Sequence, residues 1–402
     1  MDQELDRTLK HSTDVIELFR SKEMVKICAP MVRYSKLQFR NLVKSYNCDL
    51  CYTPMILADS FCKSDKARVN EFTTNLNDTP LITQFAANKV HDFVGAAYMV
   101  SPFCDGVDLN CGCPQRWAKQ QGLGCIMLEK PEVIYDLVRQ CRNAITKPFT
   151  VSVKMRLQKD LRKSIDICKQ LERCGVSYLT VHGRTPDQLT GEINKEALNL
   201  IVGSVNIPVV ANGGVKSLED CLALQEETNC KGIMVANGIL TNPTLFTGSS
   251  ITTTDCIQRW LNICYNTTLD FRDTNRVHTI SEKPNNLTFQ CFHHHLVFML
   301  EKLLTRSEKR IFNNLQSFRD VLSFIKDKFD LAPQLDNIDD FHNVKLFNLD
   351  FGKRHEIYFT LKPEDEVFID YDLFYDCKSE GKYFKSKLEG ECDWSNIFLE
   401  NA

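Results

Sequence analysis

Long apolar runs are missing from this sequence. The chain has 402 residues, of which 43% are apolar, yet no run approaches the roughly 18 residues that cross a bilayer as a helix. A basic segment followed by an apolar stretch is also absent after Met1, so we expect no secretory leader and no membrane partner. The 18 cysteines therefore predict reduced thiols rather than a disulfide framework. We expect a soluble protein of the cytoplasm, with the nucleus as a second compartment.

A strong net charge is missing too, because the formal net charge is only −3. This value excludes a global electrostatic signal for nucleic acid or membrane. The average hides a split: residues 333–402 hold 16 acidic against 8 basic residues, so residues 1–332 carry a net charge of +5. A mildly basic body is compatible with RNA binding, but many soluble enzymes are equally basic.

Eight short apolar runs alternate with longer amphipathic segments between residues 25 and 250. Such runs are typical of strands buried on both faces. The eight are Val25–Met31, Leu50–Met55, Leu81–Ala86, Gly106–Gly112, Phe149–Arg156, Tyr178–Arg184, Pro208–Gly214 and Gly232–Gly238. Eight strand–helix units close a TIM (β/α)8 barrel, an α/β fold. The alternative is a doubly wound open sheet, but the glycine-rich turn that usually follows its first strand is absent at Ala29-Pro30-Met31.

The periodicity changes on either side of this barrel. Residues 1–24 form a lead-in with one helix-like stretch, Val15–Phe19. Residues 251–332 show helical periodicity and predict a small helical domain. Its three predicted helices are Cys256–Phe271, Leu287–Leu304 and Lys309–Phe329. Residues 333–402 form an acidic, aromatic-rich C-terminal extension of unknown role, with strands predicted at Ile357–Leu361 and Val367–Phe374.

Polar residues stand at or just after the ends of six predicted strands. Barrel active sites lie at the carboxyl ends of the strands, because the loops there vary without disturbing the core. The six residues are Gln84, Asn110, Lys154, His182, Asn212 and Asn237. Together they predict a site at this end of the barrel.

Cys113 follows the fourth predicted strand in the segment Asp108-Leu109-Asn110-Cys111-Gly112-Cys113-Pro114. A thiol with a pKa near 8.5 is mostly protonated at neutral pH and can act as a general acid. The alternative is that one of 18 cysteines falls in a loop by chance. The flanking Gly112 and Pro114 beside a strand-end asparagine favour the catalytic interpretation.

Lys154 and Arg156 alternate along one strand, so both point to the same side of the sheet. A lysine inside a barrel is costly unless it faces an anion, and a reduced flavin is a suitable anion. A strand-end lysine can instead extend to solvent, and His182 taken alone is more typical of a core histidine.

Glycines follow the last two predicted strands, in Asn212-Gly213-Gly214 and Asn237-Gly238. Loops at these positions of a barrel often bind phosphate through backbone N–H groups. Each glycine alone could be a plain turn, but the pair predicts a phosphate-bearing cofactor such as FMN.

No metal site is predicted. Cys48 and Cys51 have the spacing of half a zinc site, but no second pair follows at a suitable distance. His293, His294 and His295 fan out about 100° apart on a helix and cannot converge on one ion.

A stripe of four basic residues lies on the predicted helical domain. A solvated helix face is the alternative, since Glu301 and Glu308 lie among them. The spacing nevertheless favours one basic stripe for RNA. The four are Lys302, Arg306, Lys309 and Arg310.

Taken in order, these motifs resemble the tRNA-dihydrouridine synthases over about residues 25–330. The matching motifs are Ala29-Pro30-Met31-Val32, Leu37-x-Phe39-Arg40, Gln84-Phe85, Asp108-x-Asn110-x-Gly112-Cys113-Pro114, Val153-Lys154-Met155-Arg156, Val181-His182-Gly183-Arg184-Thr185 and Ala211-Asn212-Gly213-Gly214-Val215. The segment Cys291-Phe292-His293-x-His295-Leu296 resembles the eukaryotic branch that acts at positions 20a and 20b of cytosolic tRNA.

The resemblance implies a mechanism with FMN and NADPH. NADPH reduces the flavin, hydride passes from flavin N5 to uracil C6, and Cys113 protonates C5. Asn110 and Arg156 hold the uracil, which must be extruded from the folded D-loop. The helical domain binds tRNA through its backbone and shape. The residues expected to bind FMN are Pro30, Met31, Val32, Gln84, Lys154, His182, Asn212, Gly213, Gly214, Ala236 and Asn237.

One residue departs from the family pattern. Asn237 stands where many members have an arginine, so weaker FMN binding is expected. No DNA and no obligate protein partner are expected.

Three other functions stay open. One is dihydrouridine formation at another D-loop position or in another RNA. A second is an FMN barrel that acts on a free pyrimidine, which would not need a helical domain with a basic stripe. A third is a non-catalytic RNA-binding homologue, which we would expect to lack Cys113, Lys154 or His182, although all three are present.

Overall fold

The computed structural model describes residues 13–75, 77–145, 148–266 and 287–334. The strands predicted at Ile357–Leu361 and Val367–Phe374 lie outside the described residues, as do residues 335–402 as a whole. Among the helices that are described, none is long and apolar enough to cross a membrane.

In the described part of the chain, nine parallel strands form one sheet. They are β1 (Val25–Cys28), β2 (Leu50–Tyr52), β3 (Ile56–Leu57), β4 (Leu81–Ala86), β5 (Gly106–Cys111), β6 (Thr150–Arg156), β7 (Tyr178–His182), β8 (Val209–Asn212) and β9 (Gly232–Val235). The sheet closes because β1 pairs with β9 and β2, and β2 pairs in turn with β4. The eight predicted runs each contain one barrel strand, which confirms the predicted TIM barrel.

Among the described strands, the two-residue β3 is the one that the sequence did not predict. β2 and β3 pair with successive parts of β4, with Cys51 opposite Leu81 and Ile56 opposite Phe85. They are therefore two pieces of one barrel position. Pro54 lies in the gap between them, where it has no N–H to donate to a neighbouring strand.

Eleven described helices accompany the strands up to residue 250. They are α1 (Val15–Ser21), α2 (Leu37–Lys44), α3 (Ala58–Lys63), α4 (Asp65–Glu71), α5 (Val90–Val100), α6 (Arg116–Gln120), α7 (Pro131–Ala144), α8 (Leu161–Arg173), α9 (Lys195–Val202), α10 (Leu218–Thr228) and α11 (Asn237–Thr241), with 3-10 turns at Gly124–Glu129 and Leu245–Thr247. In α8, for example, Asp160 caps the first turn and Ile167 and Leu171 are buried one helical turn apart.

Helix α1 covers the amino-terminal end of the barrel. The Phe19 ring lies 5.0 Å from the ring of Tyr178, the first residue of β7. The backbone N–H of Thr13 donates to Asp105, immediately before β5, at 3.1 Å. The carboxyl end of the barrel is therefore the end that α1 does not cover.

Four helices follow the barrel within the described residues: α12 (Thr254–Asn266), α13 (Phe289–Met299), α14 (Arg306–Asn313) and α15 (Phe318–Phe329). The prediction of one helix over Lys309–Phe329 is wrong, because the segment contains a break. Ser317 caps α15 by accepting from the Asp320 N–H at 3.1 Å. Thr305 and Glu308 form a capping box that starts α14 at Arg306.

The three consecutive histidines of α13 pack in different directions. His293 bonds to the Phe312 carbonyl oxygen at 2.9 Å, and His295 bonds to the Tyr34 carbonyl oxygen at 3.1 Å. His295 also stacks on Phe39 of α2 at 4.5 Å. The run thus joins α13 to α14 on one side and to the barrel on the other. In the part of the chain that the structure describes, no group of three or more His, Cys, Asp or Glu residues could hold a metal.

Candidate active site

The carboxyl end of the barrel brings six of the predicted site residues together. Strand register places Asn110 opposite Lys154, Arg156 opposite His182, and His182 opposite Asn212. Gln84 joins them through a side-chain hydrogen bond to Asn110 at 2.9 Å. All but the half-buried Lys154 are buried.

The loop that carries Cys113 is held on both sides. The Asn110 Oδ1 atom accepts from the N–H groups of Gly112 at 3.2 Å and Cys113 at 3.0 Å. The Cys113 carbonyl oxygen accepts from the Cys125 N–H at 3.0 Å. Gly124 has φ +70, and a Cβ there would lie 2.5 Å from that same carbonyl oxygen. The close approach therefore requires glycine at this position.

Cys113 is one of two thiols among the described cysteines that are accessible. Of the 16 cysteines in the described residues, all are free, and Cys113 and Cys174 alone are not fully buried. Cys174 ends α8 and so lies at the other end of the barrel. Burial raises the pKa of the Cys113 thiol, so it is protonated at neutral pH and can donate a proton.

Asp108 was not predicted as a site residue, yet it lies beneath the site and is fully buried. Its Oδ2 atom accepts from Gln84 Nε2 at 2.8 Å and its Oδ1 atom accepts from the Ser152 hydroxyl at 2.6 Å. Burial raises the pKa of Asp108 to about 6, although both hydrogen bonds and Lys154 favour the charged form. The available signal was its position two residues before Asn110, which puts both side chains on the same face of β5.

Lys154 and Arg156 bring two cations to the site. Lys154 makes no hydrogen bond or ion pair with any described residue, and burial, with Arg156 nearby, lowers its pKa to about 8. Arg156 donates through Nε to the Gly112 carbonyl oxygen at 3.0 Å and through Nη1 to the Thr185 and Gln188 carbonyl oxygens at 3.3 and 3.2 Å. Its Nη2 atom has no acceptor among the described residues. The site therefore suits a ligand rich in acceptor atoms.

His182 is neutral in this setting. Burial, with Arg156 and Lys154 nearby, holds its pKa well below the usual value. Arg184 Nη1 lies 3.4 Å from His182 Nε2. Because a guanidinium only donates, Nε2 is the accepting nitrogen of this histidine.

Gly213 and Gly214 follow β8 and offer two backbone N–H groups that bond to no described residue. Gly213 has φ +117, and a Cβ there would lie 2.8 Å from His182 Nε2. Since β8 pairs with β9, the Gly213–Gly214 turn lies beside Ala236 and Asn237, where α11 begins. These free donors fit a phosphate group.

The loop after β1 lies next to this turn, because β1 pairs with β9. Met31 is buried, whereas Pro30 and Val32 are half-buried. The Met31 N–H donates to the Ser35 hydroxyl at 3.0 Å. The three predicted residues of this loop thus border the same end of the barrel. Asn237 is exposed.

The four basic residues of the predicted stripe do not share one helix. Lys302 lies in the turn after α13 and donates to the Ser250 carbonyl oxygen at 3.0 Å. Lys309 is paired with Glu301 at 2.7 Å. Arg306 and Arg310 are exposed and one turn apart on α14. The break before Arg306 separates Lys302 from the three cations of α14, and the role of the four residues in RNA binding stays a prediction.

Comparisons with known proteins give a consistent result. The family model described as "Dihydrouridine synthase (Dus)" matches residues 27–342. The tRNA-dihydrouridine(20a/20b) synthase-like protein of Mus musculus, whose name adds NAD(P)+, is 46% identical over 317 residues, which cover 79% of this chain and 92% of that protein. The tRNA-dihydrouridine(20a/20b) synthase of Schizosaccharomyces pombe is 39% identical over 322 residues, or 80% and 93% of the two chains.

Some solved structures resemble the chain at low sequence identity. An old yellow enzyme homologue from Zymomonas mobilis has a TM-score of 0.42 and 14% identity, covering 59% of this chain and 92% of that one. A similarity at this level says nothing about the site.

Proposed function

The chain belongs to the dihydrouridine synthase family, as its motifs predicted, and from this premise we propose that it reduces a uridine of cytosolic tRNA to 5,6-dihydrouridine. It is an oxidoreductase, and the names of its relatives point to positions 20a and 20b of the D-loop and to NAD(P)H as reductant. The observation that supports this proposal is the position of Cys113: among the described residues it is the one accessible thiol at the carboxyl end, and it lies beside two cations that have no described anionic partner.

The cofactor that we assign to the site is FMN. The free N–H groups of Gly213 and Gly214 would hold its phosphate, with Asn212, Ala236 and Asn237 beside them. The loop Pro30, Met31 and Val32 would line it, and Gln84, Lys154 and His182 would contact its ring system. When bound at this site, FMN would supply the hydride for uracil C6. The half-buried ammonium of Lys154 supports this assignment, because such a group is stabilised by an anionic partner.

Cys113 is the proton donor in this proposal. Its protonated thiol delivers the proton to uracil C5, and the resulting thiolate is reprotonated from solvent. Arg156 has Nη2 available for a uracil carbonyl, and Asn110 keeps one amide N–H beyond the one given to Gln84. Neutral His182 and the cations Lys154 and Arg156 would orient the bound groups through hydrogen bonds, and none of them delivers the proton in this proposal.

The tRNA contact that we propose lies on the helical domain, with Lys302, Arg306, Lys309 and Arg310. Binding through phosphates and shape leaves the enzyme to extrude its target base into the barrel. Cytoplasm and nucleus are the compartments that we propose.

One assay separates this proposal from action on a free pyrimidine. Purified holoenzyme is mixed with NADPH and either undermodified tRNA or free uracil, and dihydrouridine is mapped at single-base resolution. We expect product at positions 20a and 20b of tRNA alone. Turnover of free uracil without tRNA product would refute the proposal, and a colourless protein that takes up no FMN would favour the non-catalytic homologue.

A further inference from the structure

We propose that Asp108 is a positioning residue that orients the Cys113 loop through the side chains of Gln84 and Asn110. The inference rests on the proposed function, because it assigns a new residue to that site. Asp108 acts here through its neighbours and not by contact with the substrate. It is joined to the thiol's loop by an unbroken chain of hydrogen bonds.

At both ends of this series of hydrogen bonds, the donor and the acceptor can be assigned in only one way. At one end the Gly112 and Cys113 N–H groups can only donate, so Asn110 must present Oδ1 to them, at 3.2 and 3.0 Å. At the other end an ionised Asp108 can only accept, so Gln84 must present Nε2 to it, at 2.8 Å. The Gln84 Oε1 atom then accepts from Asn110 Nδ2 at 2.9 Å.

Each amide in the chain therefore has one allowed orientation. A reversed Gln84 would place its N–H groups against those of Asn110 and its oxygen against the Asp108 carboxylate. A reversed Asn110 would place its N–H groups against the backbone donors of the Cys113 loop. A buried mismatch of this kind leaves polar groups unsatisfied, which costs more than a single hydrogen bond contributes. The carboxylate thus determines the direction of every bond up to Cys113.

Asp108 has no ion pair with any described residue. Four strands face it: Gln84 on β4, Ser152 and Lys154 on β6, Tyr52 on β2 and Tyr178 on β7. Lys154 is the one cation among these and makes no ion pair with it. A fully buried carboxylate without an ion pair is expensive to fold. The Asp108 carboxylate is explained if the site needs a group that can only accept hydrogen bonds.

Asp105 provides a matched comparison just before the strand that carries Asp108. It too is a buried acidic residue, immediately before β5, and it accepts from the Thr13 N–H at 3.1 Å and the Leu81 N–H at 2.8 Å. Its partners belong to the amino-terminal end of the barrel. A purely structural acidic residue should therefore behave like Asp105.

The test compares Asp108→Leu, Asp108→Asn and Asp105→Asn in purified holoenzyme. Three quantities are measured: kcat and KM for undermodified tRNA, the alkylation rate of Cys113 by iodoacetamide read by mass spectrometry of its peptide, and Tm. For Asp108→Leu we expect kcat about 100-fold lower, with KM for tRNA within about threefold of the wild type. We also expect a changed Cys113 alkylation rate.

Asp108→Asn should rescue most of this loss. Its Oδ1 atom can accept from Gln84, and its amide N–H can donate to the Ser152 hydroxyl, which can reverse its role. We expect kcat within about tenfold of the wild type. The double variant Asp108→Asn/Ser152→Ala lacks this hydroxyl, so its kcat should fall to the level of Asp108→Leu. If Asp108→Leu does not fold, comparing the double variant with Asp108→Asn tests the same proposal.

Asp105→Asn should lower Tm but keep kcat per folded molecule and the Cys113 alkylation rate. Wild-type alkylation and kcat in Asp108→Leu would overturn the proposal, as would equal losses in Asp108→Asn and Asp108→Leu. A wild-type enzyme that makes no dihydrouridine would refute the proposed function instead. In that case the alkylation rates of the variants still decide whether Asp108 orients the loop.

Discussion

Side chains are positioned in different ways at the carboxyl end of the barrel and in the helical domain. At the barrel end, register between parallel strands fixes which side chains meet, as with Asn110 opposite Lys154. In the helical domain, one capped break between helices decides where four cations lie. Contacts between residues that are far apart in sequence are therefore easier to predict when neighbouring strands carry those residues. Spacing along a helix is informative only while the helix continues.

The largest effect should follow from Cys113→Ala. The variant should keep its flavin and its oxidation of NADPH, but lose dihydrouridine formation by about 100- to 10,000-fold, the usual contribution of a positioned acid. Single-turnover yield with undermodified tRNA measures the loss. Cys174→Ala, at the other accessible thiol, is the control and should form product normally. Normal yield from Cys113→Ala would place the acid elsewhere.

Gly213→Ala tests whether the backbone after β8 is needed to bind FMN at the carboxyl end of the barrel. A Cβ there would meet His182 Nε2 at 2.8 Å in addition to the strain of φ +117, so bound FMN per protein should fall to less than about a tenth. Gly191→Ala is a matched control, because Gly191 has φ +92 but nothing within 4 Å of its Cβ position. An equally reduced flavin content in the two variants would show that the backbone strain, and not the contact with His182, lowers FMN binding.

Asp108→Asn should change stability with a definite dependence on pH. The folded-state pKa of about 6 lies above the ordinary value of 3.8, so the wild type becomes less stable as pH rises through this window. The variant does not titrate there. Its stability relative to the wild type should therefore rise by about 1–3 kcal/mol between pH 4 and pH 7. Urea unfolding at the two pH values gives the difference, and a constant difference would contradict the raised pKa.

The smallest effect should come from the helical domain. Arg306→Gln/Arg310→Gln removes two exposed cations, so the Kd for tRNA should rise about tenfold and the salt slope should fall by about 2. Lys309→Gln should change less, because Glu301 already pairs with Lys309 at 2.7 Å. Filter binding at several salt concentrations measures both. Unchanged affinity in the double variant would remove α14 from the RNA surface.

Much of the barrel could be predicted from the sequence. Continuous apolar runs are required for strands covered on both faces, so all eight barrel strands were found. Only β3 was missed, because Pro54 splits one strand into two pieces. In the helical domain the single helix predicted over Lys309–Phe329 was wrong. The local bond between Ser317 and Asp320 outweighs the apolar periodicity across the break.

The sequence predicted which residues form the candidate site, but not the hydrogen bonds that connect them. The order of motifs along the chain was enough to place Cys113, Lys154, Arg156 and His182 at one end of the barrel, and to indicate the family. The closeness of Gly124 to the Cys113 carbonyl and the direction of each bond from Asp108 to Asn110 depend on residues from different strands and loops.

Sequence alone therefore determined the strands, the family and the identity of the polar residues at the strand ends, because these follow from local pattern and period. The tertiary structure decided which described thiols are accessible, which cations of the site have no described anionic partner and which way each amide of the buried hydrogen-bond chain faces. Burial and hydrogen-bond direction are properties of neighbours in space, and only the closed barrel brings those neighbours together.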